Sequence, residues 1–284
     1  MILLADSGSS TTNWLLLSYS TGQRVVRIDT KGLNPYHLSK EEIAYVIMHD
    51  LIPSIKDYEI DAIYFYGSGC SNAEKQHIIK QCLTLISPNA ELNVDHDIMA
   101  SAIACCGENK GIACILGTGS NSCVYDGNRI TKNLPSLGYM LGDEGSGAYI
   151  GKALLQLFLK NQLPKHLHNS FNDKYGLHSV DILNRIYQHE KPGVFIAQFA
   201  QFVYEHIDET SMLSIVHKSF RDFFDELVLP YPESLYYPIH FVGSIAALFS
   251  TMLHEVGTEK SLQIGRIVRY PIEALADYYI NKLR

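Results

Sequence analysis

Charged residues make up only 19% of this 284-residue chain, against about a quarter in an ordinary globular protein. The shortage falls hardest on the basic side, where 23 Lys and Arg face 30 Asp and Glu, for a formal charge of −7. A chain this poor in cations lacks the electrostatic footprint of a nucleic-acid or anionic-membrane binder, so neither is expected as a partner. A local phosphate site remains open, because backbone N–H groups hold phosphate without a basic patch. Long hydrophobic runs are missing as well. Met1 to Leu4 is apolar, but Asp6 and Ser7 end the run, and no basic segment or small-residue cleavage site accompanies it. Neither a secretory signal nor a membrane-spanning helix is therefore expected. The six cysteines, Cys70, Cys82, Cys105, Cys106, Cys114 and Cys123, contain no C-x-x-C pair, and several sit in apolar runs as buried free thiols do. That pattern excludes a disulfide framework and points to the cytoplasm. Low-complexity tracts, charge runs and linkers rich in Gly, Pro or Ser are also absent.

What remains is 46% hydrophobic, enough for one large domain or two lobes. Met1–Asp6, Asn13–Ser18 and Arg24–Asp29 read as short strands of a meander joined by turn residues. A helix is predicted over Lys40–Ile52, because Ser39 and Glu42 have capping-box spacing and Ile43, Ile47 and Leu51 repeat along one face. Ala62–Tyr66 reads as a buried strand, followed by a helix capped at Ser71 and carrying Ile78, Ile79, Cys82 and Leu85. Glu91–Val94 is a further strand and Ile98–Cys106 a small-residue helix.

Near Gly111 the pattern restarts. Ile112–Leu116 and Ser122–Tyr125 are strands around Gly117-Thr118-Gly119-Ser120-Asn121. Helices dominate from Ser146 to Leu229, including Phe195–Tyr204 and Met212–Leu227. Ile239–Val242 is a strand that stops at Gly243-Ser244, with a helix such as Ala246–Val256 behind it and a last one near Ile272–Asn281. The strand–Gly/Ser turn–strand unit thus occurs twice, at Leu4–Leu16 and at Cys114–Tyr125, and predicts a mixed sheet flanked by helices in each of two lobes. The ligand is expected between them.

Both turns have the chemistry of a phosphate cradle. Asp6-Ser7-Gly8-Ser9-Ser10-Thr11-Thr12 offers backbone N–H groups, hydroxyl donors and a glycine free to take positive φ. Asp6, at the end of its strand, suits Mg²⁺, held directly or through water. An ordinary hairpin explains either turn alone; two in the same context suggest a clamp on a polyphosphate. Gly67-Ser68-Gly69-Cys70-Ser71-Asn72 lacks the third glycine of a dinucleotide fingerprint, and Gly145–Lys152 misses the P-loop spacing by one residue. In Gly142-Asp143-Glu144-Gly145-Ser146-Gly147 the acidic residues could accept hydrogen bonds from a polyol or cap a helix, with capping the stronger reading for Glu144.

With these blocks in hand, the chain resembles the N-acetylglucosamine kinase-like family and its broader ATPase relatives of the BadF-BadG-BcrA-BcrD type, within the actin–hexokinase superfamily. The resemblance covers nearly the whole chain and rests on Asp6–Thr12, Asn34, Asp97–Ala104, Gly117–Asn121 with Gly142–Gly147, and Phe241–Ser244. It implies an α/β, two-lobed actin-like (ribonuclease H-like) ATPase fold, with duplicated βββαβα lobes and an interdomain cleft. The N-terminal lobe would span 1–108, joined by the C-terminal helix 271–284, and the second lobe 109–270. By position, Ser7, Gly8, Ser9, Ser10 and Thr11 of the first turn, with Gly117, Thr118 and Gly119 of the second, would contact ATP phosphates. Gly243 and Ser244 would contact adenosine. Asn34, Ser136, Leu137 and Asp143 would contact the sugar, and Asp97 would be the catalytic base. Asp95 is its neighbouring rival, helix capping is the competing role for both, and His96 is read as a packing or surface residue.

ATP and Mg²⁺ are the implied cofactors, a small sugar the implied partner, and a homodimer an expected assembly because relatives are often dimers. N-acetylglucosamine leads as acceptor, ahead of glucosamine, N-acetylmuramic acid and a plain hexose. Two departures bear on this. The first turn lacks the usual glycine-rich form with Thr, and Pro135-Ser136-Leu137-Gly138 replaces the family's Gly-Gly-Trp-Gly sugar loop. An ATPase activator of the acyl-CoA dehydratase type is the alternative, although its cluster-bridging cysteines have no counterpart in the adjacent Cys105-Cys106. A slow ATP-hydrolysing binding module is a third reading, and the absence of an appended domain counts against it.

Overall fold

The computed structural model describes residues 1–8, 10–188 and 190–282. The chain divides into two compact units. One comprises Met1–Asn109, Gly127–Arg129 and the segment from Tyr270 onward; the other comprises Lys110–Asp126 and Ile130–Arg269.

In the first unit β1 (Ile2–Ser7), β2 (Thr11–Ser18) and β3 (Gln23–Lys31) form an antiparallel meander. Next to β1, and parallel to it, runs β4 (Ala62–Gly67), with β5 (Glu91–His96) outside it, giving the order β3-β2-β1-β4-β5. Side chains alternate across the pleat. Leu3, Ala5, Trp14 and Leu16 share one core with Ile43, Ile47 and Ile79. Ile2, Leu4, Leu15 and Leu17 pack on the other face against Ala100, Ile103, Ile272 and Leu275. Each fully buried aliphatic side chain contributes on the order of 1.5–3 kcal/mol.

Helices α1 (Lys40–Val46), α2 (Ile52–Ile55), α3 (Ala73–Leu83) and α4 (Asp97–Cys106) fill the connections. The capping box forms as its spacing predicts: Glu42 N–H donates to Ser39 Oγ, and Ser39 N–H to the Glu42 carboxylate. The predicted helix over Lys40–Ile52 is not uniform. A π-helical turn, Ile47–Leu51, interrupts it, and Ile52 N–H donates to Ile47 C=O. Pro53 supplies the reason, since its ring would collide with the carbonyl four residues back in an unbroken α-helix. Asn72 rather than Ser71 caps α3, its side chain accepting from Lys75 N–H, and Leu85 falls beyond that helix, 45% exposed.

The second unit repeats the plan. Strands β6 (Gly111–Leu116), β7 (Ser120–Tyr125) and β8 (Ile130–Asn133) form its meander. Its helical segment holds α5 (Gly138–Leu141), α6 (Gly147–Leu159), α7 (Lys165–Tyr175), α8 (Ser179–Gln188), α9 (Pro192–Ala197), α10 (Ala200–Glu205) and α11 (Thr210–Phe223). Strand β9 (Ile239–Val242), helices α12 (Ser244–Leu248) and α13 (Ser250–Glu259), and strand β10 (Ile264–Val268) follow. The sheet order β8-β7-β6-β9-β10 reproduces that of the first unit, with the first strand again central. Helix α14 (Pro271–Lys282) returns to the first unit's core through Ile272, Leu275 and Ala276.

Strands β8 and β10 do not stand out in the sequence. The first is short, polar and at a sheet edge, and Gly265 and Arg266 interrupt the apolar pattern of the second. Phe195–Tyr204 and Ala246–Val256, each predicted as one helix, are split into α9 with α10 and α12 with α13.

Two tests of this unit follow. A Cβ on Gly151, in α6, would stand 2.0 Å from the Ile196 carbonyl oxygen of α9. Gly151→Ala should therefore cost about 1–3 kcal/mol through overpacking, read as a lower denaturant midpoint. An unchanged midpoint would show that the two helices separate freely. His240, buried in β9, accepts Arg266 N–H at Nδ1, 2.9 Å away. Burial first, then the Arg266 charge, hold its imidazole below the ordinary pKa. As pH falls below about 6.5 the unfolded chain takes up a proton that the folded state resists, so stability declines. His240→Gln should flatten the fall in Tm between roughly pH 7 and pH 5, and an equally steep fall would assign the slope to other groups.

Candidate active site

In the first unit the chemistry gathers where the parallel strands end. Alternation along β1 puts Ile2 and Leu4 on the face packed by α4, and Asp6 continues that row. Asp97 is the first residue of α4, immediately after β5. The Asp97 carboxylate accepts from its own N–H and from that of Ile98. Loss of water nonetheless outweighs those bonds and the nearby His96, and raises its pKa above the ordinary carboxylate value. Burial, with the charge of Asp97 added, pushes Asp6 up to about 7. Both residues keep partial exposure. Two carboxylates that repel each other and are short of water can take up a cation or a proton.

Asp97 stands at the first position inside its helix, not at the cap position. The cap position is His96, which makes no side-chain capping bond. Asp95 spends one carboxylate oxygen on the His96 N–H, 2.8 Å away.

The first turn is sparer in free donors than its composition suggests. Ser7 is fully buried: its hydroxyl accepts Leu33 N–H (3.1 Å) and lies 2.7 Å from Thr12 Oγ1, which donates to the Lys31 carbonyl. It clips the hairpin to the end of β3. Gly8 keeps negative φ, so its predicted use of the left-handed region is not needed; its N–H donates to Thr11 C=O (2.9 Å). Ser10 and Thr11 are exposed, and Ser9 lies outside the described residues. Asn34 is buried after β3, with Oδ1 accepting Tyr36 N–H (2.9 Å) and Nδ2 only 3.5 Å from Ser68 Oγ.

In the second unit the turn Gly117–Gly119 is pinned by a helix start. The N–H groups of Gly147 and Ala148 donate to the carbonyls of Gly117 and Thr118, and Ser146 Oγ takes the N–H of Tyr149. Ser146 thus caps α6, not Glu144 as its spacing suggested. Asp143 lies over the turn: a Cβ on Gly119 would sit 3.0–3.2 Å from its carboxylate, and its Oδ1 accepts Ser120 N–H at 3.2 Å. The residue is 8% exposed and held at φ 60°, a conformation that aspartate tolerates better than most residues. Burial raises its pKa more than its hydrogen bonds lower it.

Ser136 approaches the same oxygen at 3.5 Å and donates to the Ser120 carbonyl, whereas Leu137 projects outward, 58% exposed. Gly243, at φ 122°, lies against the end of β6, where a Cβ would meet the Leu116 carbonyl oxygen at 2.3 Å. No side chain fits there. The Gly243–Ser244 block and the Gly117 turn are therefore neighbours, and Ser244 is exposed. Sequence reasoning missed Ser120, whose buried Oγ has no hydrogen-bond partner among the described residues. Its place in Gly117-Thr118-Gly119-Ser120 was the available signal.

Two sheets of the same order, each with a Gly/Ser hairpin after its first strand, define a protein of the actin-like sugar kinase and ATPase class. A scan against protein-family models finds no match, and neither does a search of curated proteins. Solved structures do match. A Porphyromonas gingivalis protein described provisionally as an N-acetylglucosamine kinase aligns with TM-score 0.95 and 39% identity over 99% of each chain. A Chromobacterium violaceum protein with the same provisional description gives 0.75 and 16%, covering 100% of this chain and 98% of its own. A ROK family glucokinase from Streptomyces griseus, in complex with glucose and AMPPNP, gives 0.56 and 11% over 98% and 97%. The last two show the fold alone. At 39% identity over nearly its whole length, the chain belongs to the N-acetylglucosamine kinase-like family.

Proposed function

We propose that the protein uses ATP to phosphorylate a hydroxyl of an amino sugar, N-acetylglucosamine or a close relative. The observation that carries this reading is the paired Asp6 and Asp97, set beside a Gly/Ser hairpin on a fold shared with sugar kinases. The sugar hydroxyl oxygen attacks the γ-phosphorus, the bond from that phosphorus to the ADP oxygen breaks, and Asp97 takes the hydroxyl proton. Its raised pKa suits a base that must hold that proton. Asp143 accepts a sugar hydroxyl through Oδ2, since Oδ1 is already spent on Ser120 and Ser136. Asn34 offers its amide N–H groups, while its carbonyl oxygen already accepts one bond from Tyr36 N–H.

Gly8, Ser10 and Thr11, with Gly117, Thr118 and Gly119, serve the phosphates, and Gly243 with Ser244 serves adenosine. Ser7 supports the first turn from behind. Asp6 fits Mg²⁺, which takes one or two carboxylates and completes its shell with phosphate oxygens and water; among the described residues no larger cluster of potential ligands occurs. When bound there, the ion would neutralise charge on the transferring phosphate.

Cytoplasmic location, a homodimer, and no nucleic-acid or membrane partner belong to the same proposal. No helix among the described residues is long and apolar enough to cross a membrane.

The test is ADP release from MgATP across N-acetylglucosamine, glucosamine, N-acetylmuramic acid, N-acetylmannosamine and glucose, with a no-sugar control. Strong stimulation by an amino sugar is expected. Steady hydrolysis that no sugar changes would overturn the kinase reading in favour of an ATPase.

A further inference from the structure

Lys152 is the only charged residue of α6, a helix buried along Ile150, Leu154, Leu155 and Phe158. It is the lysine that gives Gly145–Lys152 the look of a P-loop, yet its ammonium is committed within its own unit. Nζ donates to the Tyr139 carbonyl oxygen, 3.2 Å away, and stands 5.0 Å from the centroid of the Tyr149 ring. Tyr149 shares the helix face of Lys152 and is itself fixed, its hydroxyl donating at 2.7 Å to Asp222 Oδ2, which Lys218 of α11 also binds. Among the described residues no carboxylate lies within 4.0 Å of the Lys152 ammonium.

The acceptor of that bond leads to Asp143. Tyr139 belongs to α5, a single turn closed by the Gly142 N–H on the Gly138 carbonyl, just ahead of Asp143. Its ring packs against α9, where a Cβ on Gly193 would stand 3.3 Å from Tyr139 Cδ1. The segment is tied to Ser120 at both ends, through Ser136 and Asp143, and to Lys152 in its middle. Asp143 accepts a sugar hydroxyl best when ionised, and burial works against ionisation. The Ser120 N–H from β7 favours the charged form, Glu144 on its own loop opposes it, and Ser136 and then Lys152 from α6 favour it. A lysine in direct contact would occupy the free Oδ2. One bonded to a neighbouring carbonyl lends its field and leaves that oxygen open.

We propose that Lys152 is a positioning residue of the sugar site: its bond to the Tyr139 carbonyl sets a positive charge beside the Asp143 carboxylate without covering it, and so keeps that carboxylate a charged acceptor for the sugar. The inference rests on the kinase reading and on Asp143 as a sugar ligand. Lys152 acts on the sugar only through Asp143.

The experiment follows KM for the sugar between about pH 5 and pH 9 by ADP release, using the sugar of the five-member panel that stimulates most. Removing the cation raises the Asp143 pKa, so the ionised form is lost at a higher pH and the acid-side rise in KM moves up with it. In Lys152→Met the rise should move by about half to one pH unit, which makes KM roughly three- to tenfold higher on the acid side, with KM for ATP within about twofold. Lys152→Gln, neutral yet polar, should show the same move and serves if the apolar replacement fails to fold. Lys152→Arg should restore the wild-type profile. In an Asp143→Asn background the move should vanish, since no carboxylate remains to titrate there. An acid limb that stays in place in the neutral variants, or that moves equally in the Asp143→Asn background, overturns the proposal while the kinase reading stands. No sugar-dependent ADP release by the wild type overturns both.

Discussion

Asp97→Asn is expected to cut sugar-dependent turnover by about 10²- to 10⁴-fold while ATP affinity stays within a few-fold of wild type. Asparagine keeps the size of the side chain and one acceptor oxygen for the N–H groups at the helix start, but cannot hold the transferred proton. The same substitution should not destabilise the protein. Asp97 has its folded pKa raised by burial, so its ionised form costs stability at high pH, and that cost disappears as pH falls through the folded pKa toward the ordinary carboxylate range. In magnesium-free buffer near pH 8 the variant should therefore melt at or above the wild-type Tm, with the difference shrinking toward pH 4. Lower activity with equal or higher stability is the signature of a site strained for function. A variant with turnover within threefold of wild type would remove Asp97 from the role, and one that melted far below wild type would show that the carboxylate serves the fold.

Asp143→Asn is the second large effect, and it should appear in the sugar parameters. The buried carboxylate offers Oδ2 to substrate while Oδ1 is anchored on the Ser120 N–H. Losing a hydrogen bond to a charged group costs about 1.5–3 kcal/mol, so kcat/KM for the sugar should fall roughly 10- to 150-fold. The ATP parameters should hold. Asparagine accepts the left-handed backbone that Asp143 occupies at φ 60°, so the fold is preserved. Asp143→Ala adds backbone strain to the lost hydrogen bond and should also lower Tm. If Asp143→Asn instead raised KM for ATP with the sugar parameters intact, the carboxylate would belong to the nucleotide.

Much of the architecture was legible because its signals are local. Ser39 and Glu42 announce a helix start through bonds that reach three residues. Apolar alternation in Ile2–Ser7 and Gly111–Leu116 marks the two central strands, and the Gly/Ser turns behind them mark the repeat. The π-helical turn at Ile47–Leu51 could have been read from Pro53, but periodicity alone carried the prediction straight through it. Strands β8 and β10 were hidden because neither has a continuous apolar face.

The site divides along the same line. Sequence by itself determined the residue types: carboxylates at a strand end and a helix start, two small-residue turns, and a glycine closing β9, each recognisable from neighbours a few positions away. Tertiary structure decided their use. The pairing of Asp6 with Asp97 depends on β1, β4 and β5 lying side by side, because burial and repulsion act through space. Ser7 looked like a phosphate donor, but in the fold its buried hydroxyl lies 2.7 Å from Thr12 Oγ1, which itself donates to the Lys31 carbonyl, and accepts Leu33 N–H. The turn at Gly117–Gly119 owes its shape to Gly147 and Ala148, and Asp143 owes its place to an N–H that lies 23 residues before it. A hydroxyl or carboxylate is available to a ligand only if the fold has not already satisfied it, and that is settled by contacts between segments distant in sequence.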